Sequence, residues 1–217
     1  MSKFIVADDH PLFRSAMVQA LCNHFTDCDV IQAEDMQSLQ HSVANNTDAD
    51  LLLLDLDMPG SYGFSGLAFI SGHYPQIPIM VVSANEQANI IHRAMAHGAA
   101  GFLPKSSPPE LIGAAIQQVL MGELWLPADL PPAAQVDDDP QAKTAAIISS
   151  FTPQQFRVAG MLTDGLLNKQ IAYEMSVTEA TVKAHLTAIF RKLGVHSRTQ
   201  AVLAMSQLGV EPPGLSS

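Results

Sequence analysis

The stretch Leu51-Leu52-Leu53-Leu54-Asp55-Leu56-Asp57-Met58-Pro59-Gly60 decides the fold. An unbroken apolar run of strand length, ended by turn residues, suits a central parallel strand covered on both faces. An acid at the end of that run would be partly desolvated and needs a partner. Upstream, residues 4–7 predict a first strand, 11–25 a helix, 30–33 a short strand and the residues to about 44 a weak helix. Downstream, helices are predicted near 64–73, 87–97 and 109–121, with strands at 78–82 and 101–103. Pro104 closes the last strand, where a missing ladder donor is tolerated. Strands alternating with helical stretches predict an α/β doubly wound parallel sheet.

After Trp125 this alternation stops. Residues 126–149 are rich in Pro and Ala and carry the run Asp137-Asp138-Asp139, which predicts a flexible, solvated linker. From Phe151 the chain is helical throughout. Thr152-Pro153 starts a first helix to about 162, 168–175 forms a short one, Thr178 caps a longer one from 179 to 193, and 199–208 forms the last. Gly194 stands where a helix C′ glycine is expected. Two of these helices joined by the tight Ser176-Val177 turn have helix-turn-helix form.

Of the 217 residues, 47% are hydrophobic and 15% charged, enough apolar material for packed cores. No apolar run approaches the ~20 residues of a membrane span, and no secretory leader is visible, so a cytoplasmic protein without membrane partners is expected. Cys22 and Cys28 have no metal-ligand spacing and read as reduced thiols. The net charge of −10 argues against nucleic acid until the chain is split. Residues 1–150 hold 5 Lys and Arg against 17 Asp and Glu, a balance of −12, while residues 151–217 hold 6 against 4, a balance of +2. The halves therefore suit different partners.

Asp8 and Asp9, Asp55, Ser83 and Lys105 each follow a predicted strand, at the edge where open parallel sheets bind ligands. Gathered carboxylates repel one another, and a hard divalent cation such as Mg²⁺ relieves the repulsion. A carboxylate is also a competent phosphoryl acceptor. Alone, each residue has a plainer role. Asp8 and Asp9 have the spacing to cap the first helix, Ser83 and Glu86 have capping-box spacing, and Lys105 suits a solvated loop. Their shared position at the strand ends favours the common site.

Residues 1–125 resemble a receiver domain of the NarL/FixJ/LuxR type. The matching strings are Val6-Ala7-Asp8-Asp9-His10-Pro11, Leu54-Asp55-Leu56-Asp57-Met58-Pro59-Gly60, Val82-Ser83-Ala84 and Gly98-Ala99-Ala100-Gly101-Phe102-Leu103-Pro104-Lys105. The resemblance implies a five-stranded sheet of order 2-1-3-4-5 with Asp55 as phosphoacceptor. It implies Asp9 and Asp55 as ligands of Mg²⁺ (or Mn²⁺), Asp8 in support and Asp57 contributing its backbone carbonyl. Ser83 and Lys105 would contact the phosphoryl group, and Phe102 would hold an aromatic switch position, although a strand aromatic also suits the core. An Asp at position 57 is a variation on the pattern.

Residues 150–217 resemble a LuxR-type four-helix DNA-binding domain, on the strings 151–153, 165–172, 177–185 and 191–201. Val182, Leu186, Ile189 and Leu193 recur at helical spacing and predict a core face. Lys183, Ala184 and Thr187 lie on another side, which suits either a solvated face or base edges. The resemblance implies base reading for these three. It makes Asn168, Lys169, Thr181, Arg191, Lys192 and Arg198 candidate phosphate or structural contacts. Gln155 and Arg157 stand where the family usually has acidic residues, so a buried polar pairing is expected to be missing.

Together these features predict a response regulator phosphorylated by a sensor histidine kinase, binding double-stranded DNA as a homodimer. Its chemistry would be limited to its own phosphoryl transfer and dephosphorylation. One rival is a DNA-binding regulator whose receiver answers to a partner or ligand independently of phosphate. Another is a phosphate sink or relay intermediate with vestigial DNA binding.

Overall fold

The computed structural model describes residues 2–132 and 140–209. Five parallel strands form one sheet in the order β2-β1-β3-β4-β5. They are β1 (Ser2–Ala7), β2 (Cys28–Ala33), β3 (Leu51–Asp55), β4 (Ile79–Ser83) and β5 (Gly101–Pro104). The leucine run of β3 lies between β1 and β4, with Leu54 opposite Ala7 and Asp55 opposite Val82. All five β3 residues are buried, as a strand covered on both faces must be. Pro104 ends β5 at the sheet edge.

Helices α1 (Pro11–His24) and α5 (Pro109–Leu120) cover one face, burying Phe4, Val6, Leu51, Leu53, Met80 and Leu103. The other face is covered by α2 (Met36–Asn45), α3 (Ser65–His73) and α4 (Ala88–Ala96). α2 looked weak in sequence but starts firmly. The Asp35 carboxylate accepts from the Ser38 backbone N–H, and the Ser38 hydroxyl sits near the Asp35 N–H, a capping box built with serine instead of Glu or Gln. Trp125 bridges to Gly101, and its carbonyl accepts from the Phe102 N–H, extending the β5 edge by one residue.

The second domain holds α7 (Pro153–Thr163), α8 (Asn168–Glu174), α9 (Glu179–Leu193) and α10 (Arg198–Ser206). Caps from Thr152, Thr178 and Ser197 start α7, α9 and α10, and Gly194, at φ 68°, ends α9 in the left-handed conformation.

The expected linker needs correction. Its last ten residues form α6 (Pro140–Ser149), which packs along α3 and buries Ala145 and Ile148. The contact is possible because α3 has Gly72 there; a Cβ at that position would collide with Ser149. The acidic run 137–139 lies outside the described residues, as do 210–217 at the end of the second domain.

The two domains dock. One apolar cluster runs from the sheet through α3 and α6 into α7–α10, with the Phe69 and Phe156 rings 4.5 Å apart at its centre. α7 comes so close to the β3–α3 loop that a Cβ at Gly160 would lie 3.0 Å from the Gly60 carbonyl oxygen.

Candidate functional site

The strand ends bring together Asp8 and Asp55, 2% and 3% exposed, with half-buried Asp9. Lys105 Nζ sits between two of them, 2.7 Å from Asp8 Oδ2 and 2.8 Å from Asp55 Oδ2. Its backbone N–H donates to the Ser83 carbonyl, which anchors the β5–α5 turn to β4. The Lys105 ammonium also lies 4.8 Å from the centre of the Phe13 ring.

Burial pushes the Asp55 carboxyl above its ordinary range, and Lys105 pulls it back only in part. Burial alone would lower Lys105, but its bonds to Asp55 and Asp8 outweigh that and hold it above its ordinary value. The site is thus short of positive charge: one lysine serves two buried carboxylates, with a third beside them.

The plainer roles of these residues give way. The N-cap of α1 is His10, and neither Asp8 nor Asp9 caps the helix. Asp8 instead accepts from the His10 N–H at 2.8 Å. α4 is preceded by Gln87, so Ser83 and Glu86 form no capping box. The Ser83 hydroxyl is fully buried at the end of β4 and accepts from the Asn85 N–H. Asp57 is exposed, and its N–H donates to Asp55 Oδ1 at 3.3 Å. Phe102 is fully buried opposite Val81 in the larger core cluster.

Asp8, Asp9, His10 and Asp55 offer ligand atoms that all lie within 4.8 Å of one another. Three carboxylates with a single lysine between them fit a hard divalent ion. His10 was read from sequence only as part of the loop string. Its Nδ1 lies 2.7 Å from Asp9 Oδ1, a proximity that the Asp-Asp-His spelling already contained.

In the second domain, Lys183, Ala184 and Thr187 are exposed on α9, opposite the buried Val182, Leu186 and Ile189. The Thr187 hydroxyl donates back to the Lys183 carbonyl, leaving its lone pairs outward. Lys169 and Arg191 are exposed, and Asn168 is half-buried at the start of α8. Thr181 shares a hydroxyl contact with the α9 cap Thr178 at 2.9 Å.

Two of the candidate phosphate or structural contacts point inward and take the structural role. Lys192 donates to the Ser150 carbonyl at 2.6 Å and to Gln155 Oε1 at 2.9 Å, and Arg198 donates to the carbonyls of Leu162 and Leu166. These cations tie helices together. Gln155 is not idle: it accepts from Lys192, so this position of α7 makes a polar contact to α9 through a neutral acceptor.

Sequence reading missed the residues that join the domains. Arg93 of α4 donates to the carbonyls of Gln207 at 3.1 Å and Gly209 at 3.3 Å, just beyond α10, while its guanidinium lies 4.6 Å from the Phe64 ring centre. The Phe64 N–H donates to the Leu208 carbonyl, and the Tyr62 hydroxyl to Asp164. Arg93 is one of only five Lys and Arg in the acidic first 150 residues, the one signal that marked it.

The fold and these two sites define a receiver joined to a helix-turn-helix DNA-binding domain. Family models agree: residues 4–117 match the response regulator receiver domain, and residues 149–205 match the luxR family of bacterial regulatory proteins. The chain is 37% identical over 213 residues to a glycerol metabolism activator of Pseudomonas putida, covering 96% of each. It is 31% identical to the nitrate/nitrite response regulator NarL of Escherichia coli K12, covering 94% of each. Among solved structures it resembles a LuxR family DNA-binding response regulator from Silicibacter pomeroyi, with 27% identity, a TM-score of 0.53, and coverage of 59% of this chain and 98% of that one. The Salmonella typhimurium response regulator RcsB shares the fold at 21% identity and a TM-score of 0.55, with 95% and 99% of the two chains covered. The chain belongs to the NarL/LuxR-type family of response regulators, DNA-binding regulators of transcription in two-component systems. Among the described residues, no helix is long and apolar enough to cross a membrane.

Proposed function

We propose that Asp55 is the phosphoacceptor and that its phosphorylation by a sensor histidine kinase regulates DNA binding by loosening the docked domains. The observation that carries this is Lys105, bridging buried Asp8 and Asp55 in a site with surplus negative charge. Asp9, Asp55 and the Asp57 carbonyl would hold Mg²⁺ (or Mn²⁺), with Asp8 in support. When bound, that ion neutralises charge on the phosphoryl oxygens.

A carboxylate oxygen of Asp55 attacks phosphorus, the bond to the donor's histidine nitrogen breaks, and that nitrogen keeps the electron pair. The product is an acyl phosphate carrying about −1.5 to −2 charges. Lys105 supplies a point charge to it and Ser83 a hydrogen bond. Phe102, the second residue of β5, transmits the resulting shift of that strand into the core under α4.

The path to the second domain is short. Residues 57–64 follow Asp55 directly and carry the Gly60, Tyr62 and Phe64 contacts to α7, Asp164 and Leu208. The docked state leaves Lys183, Ala184 and Thr187 exposed, so release is not needed to uncover them. It holds the end of α10 against the receiver, and freeing that helix would allow two copies to pair. A homodimer on DNA is supported by RcsB, a protein of the same fold solved as dimers bound to DNA. Lys183, Ala184 and Thr187 would read bases. Asn168, Lys169, Thr181 and Arg191 would meet phosphates, while Lys192 and Arg198 keep those groups in place.

The test is labelling with acetyl phosphate. Wild type should be labelled only with Mg²⁺ or Mn²⁺ present, and Asp55→Asn should fold and take no label. Labelling that survives Asp55→Asn refutes the assignment.

A further inference from the structure

Of the two residues on α7 that depart from the family's acidic pattern, Gln155 is accounted for by its bonds to Lys192 and the Thr152 N–H. Arg157 is not. The residue is half-buried, its guanidinium has no hydrogen bond or ion pair among the described residues, and it lines two cavities at the domain junction. The larger, of about 590 Å³, is bounded by α2, the C-terminal end of α3 and the first turn of α7. Gln40 also lines it; that side chain is 8% exposed, and its amide nitrogen makes no hydrogen bond. A buried donor left unsatisfied is costly, and with an unpaired cation on the same cavity wall it marks a place for an acceptor.

We propose that this junction cavity binds a small organic carboxylate. Its volume suits a metabolite-sized molecule. The guanidinium fork of Arg157 matches a planar carboxylate in two parallel hydrogen bonds. Tyr74, with the buried Phe69 ring behind it, offers an apolar wall for the rest of the ligand, and Gln154 and Gln40 offer neutral polar contacts. The charge on the wall selects a monoanion. Arg157 is the only Lys or Arg there, the exposed His41 is the one other basic side chain, and Asp35 places a fixed negative charge at the rim, its oxygen already engaged by Ser38. A phosphate ester, as a dianion, would find one charge too few. None of Asp8, Asp9, Asp55 or Lys105 lines the cavity, so the site stands apart from the phosphorylation site. Its walls come from both domains, so an occupant favours the docked state by mass action. The proposal does not rest on Asp55 being the phosphoacceptor.

The experiment is isothermal titration of the full chain with 2-naphthoate, its neutral isostere 2-naphthalenemethanol and 2-naphthyl phosphate. Naphthoate should bind in the millimolar range or tighter, and the alcohol and the phosphate should bind distinctly more weakly. Arg157→Gln should weaken naphthoate by ~10-fold or more, the value of a charged hydrogen bond, while acetyl phosphate labelling stays intact. Gln40→Leu guards against misfolding: it removes an unsatisfied buried amide, so it should keep or raise Tm while still weakening naphthoate. Absence of naphthoate binding, equal binding of the alcohol, preference for the phosphate, or affinity unchanged in both variants would overturn the proposal.

Discussion

The receiver and the DNA-binding domain use lysine in opposite ways. Lys105 is 15% exposed at its side chain and is fixed between two buried carboxylates. Lys183 stands exposed on α9 with no partner among the described residues. The first is part of a charge balance that the fold must satisfy before any ligand arrives. The second stands on the surface without a partner among the described residues, as the proposed contact with a polyanion requires. The two proposed roles thus make different demands: the proposed switch site is buried and short of positive charge, and the proposed reading site is solvated.

Removing the cation from each site tests the contrast. Lys105→Ala leaves Asp8 and Asp55 facing each other in a buried site without compensation, a defect expected to cost ~3–5 kcal/mol. Thermal unfolding in EDTA should show a large fall in Tm, with much of it recovered on adding Mg²⁺. A fall that Mg²⁺ does not recover would show that the acids do not share an ion. Lys183→Ala should change stability by less than about 0.5 kcal/mol. It should instead weaken specific DNA binding by ~1–3 kcal/mol and relax preference at one base position. Lys169→Ala serves as the control, lowering affinity for all sequences alike and flattening the salt dependence.

The same contrast explains what could be read in the sequence. The sheet was legible because Leu51–Leu54 tolerates few other environments, and the acids were legible because each one ends a strand. α6 was hidden: Ala145 and Ile148 are its named buried apolar residues, and they follow directly on a Pro- and Asp-rich run. The docking contacts were less legible still. Arg93, Lys192 and Arg198 all donate to backbone carbonyls far away in the chain, and a carbonyl leaves no mark on the residue type that carries it. A motif identified the last two as basic positions, and only geometry says which cations face outward.

Arg93 allows the docked state itself to be broken. Arg93→Ala removes charged donors from two carbonyls that are partly exposed, worth about 1 kcal/mol together after solvent competition. Small-angle scattering should show a larger radius of gyration in the unphosphorylated protein. If docking restrains pairing, DNA affinity without phosphodonor should rise by roughly fivefold. A more extended protein with unchanged DNA affinity would separate docking from regulation.

The smallest effect concerns Asp55 as a structural liability. Burial raises the Asp55 pKa above its unfolded value. The sign follows directly: a raised acid binds its proton more tightly when folded, so stability falls as pH rises through the raised value, and the ionised form carries a penalty at neutral pH. Asp55→Asn removes the charge and keeps an acceptor for Lys105. In EDTA its Tm should therefore exceed that of wild type by a small margin at pH 7. The margin should shrink as pH falls through the raised pKa toward the ordinary carboxyl value of 3.8. A variant less stable than wild type at neutral pH would mean that the Lys105 ion pair outweighs desolvation, and the switch site would then resemble an ordinary buried salt bridge.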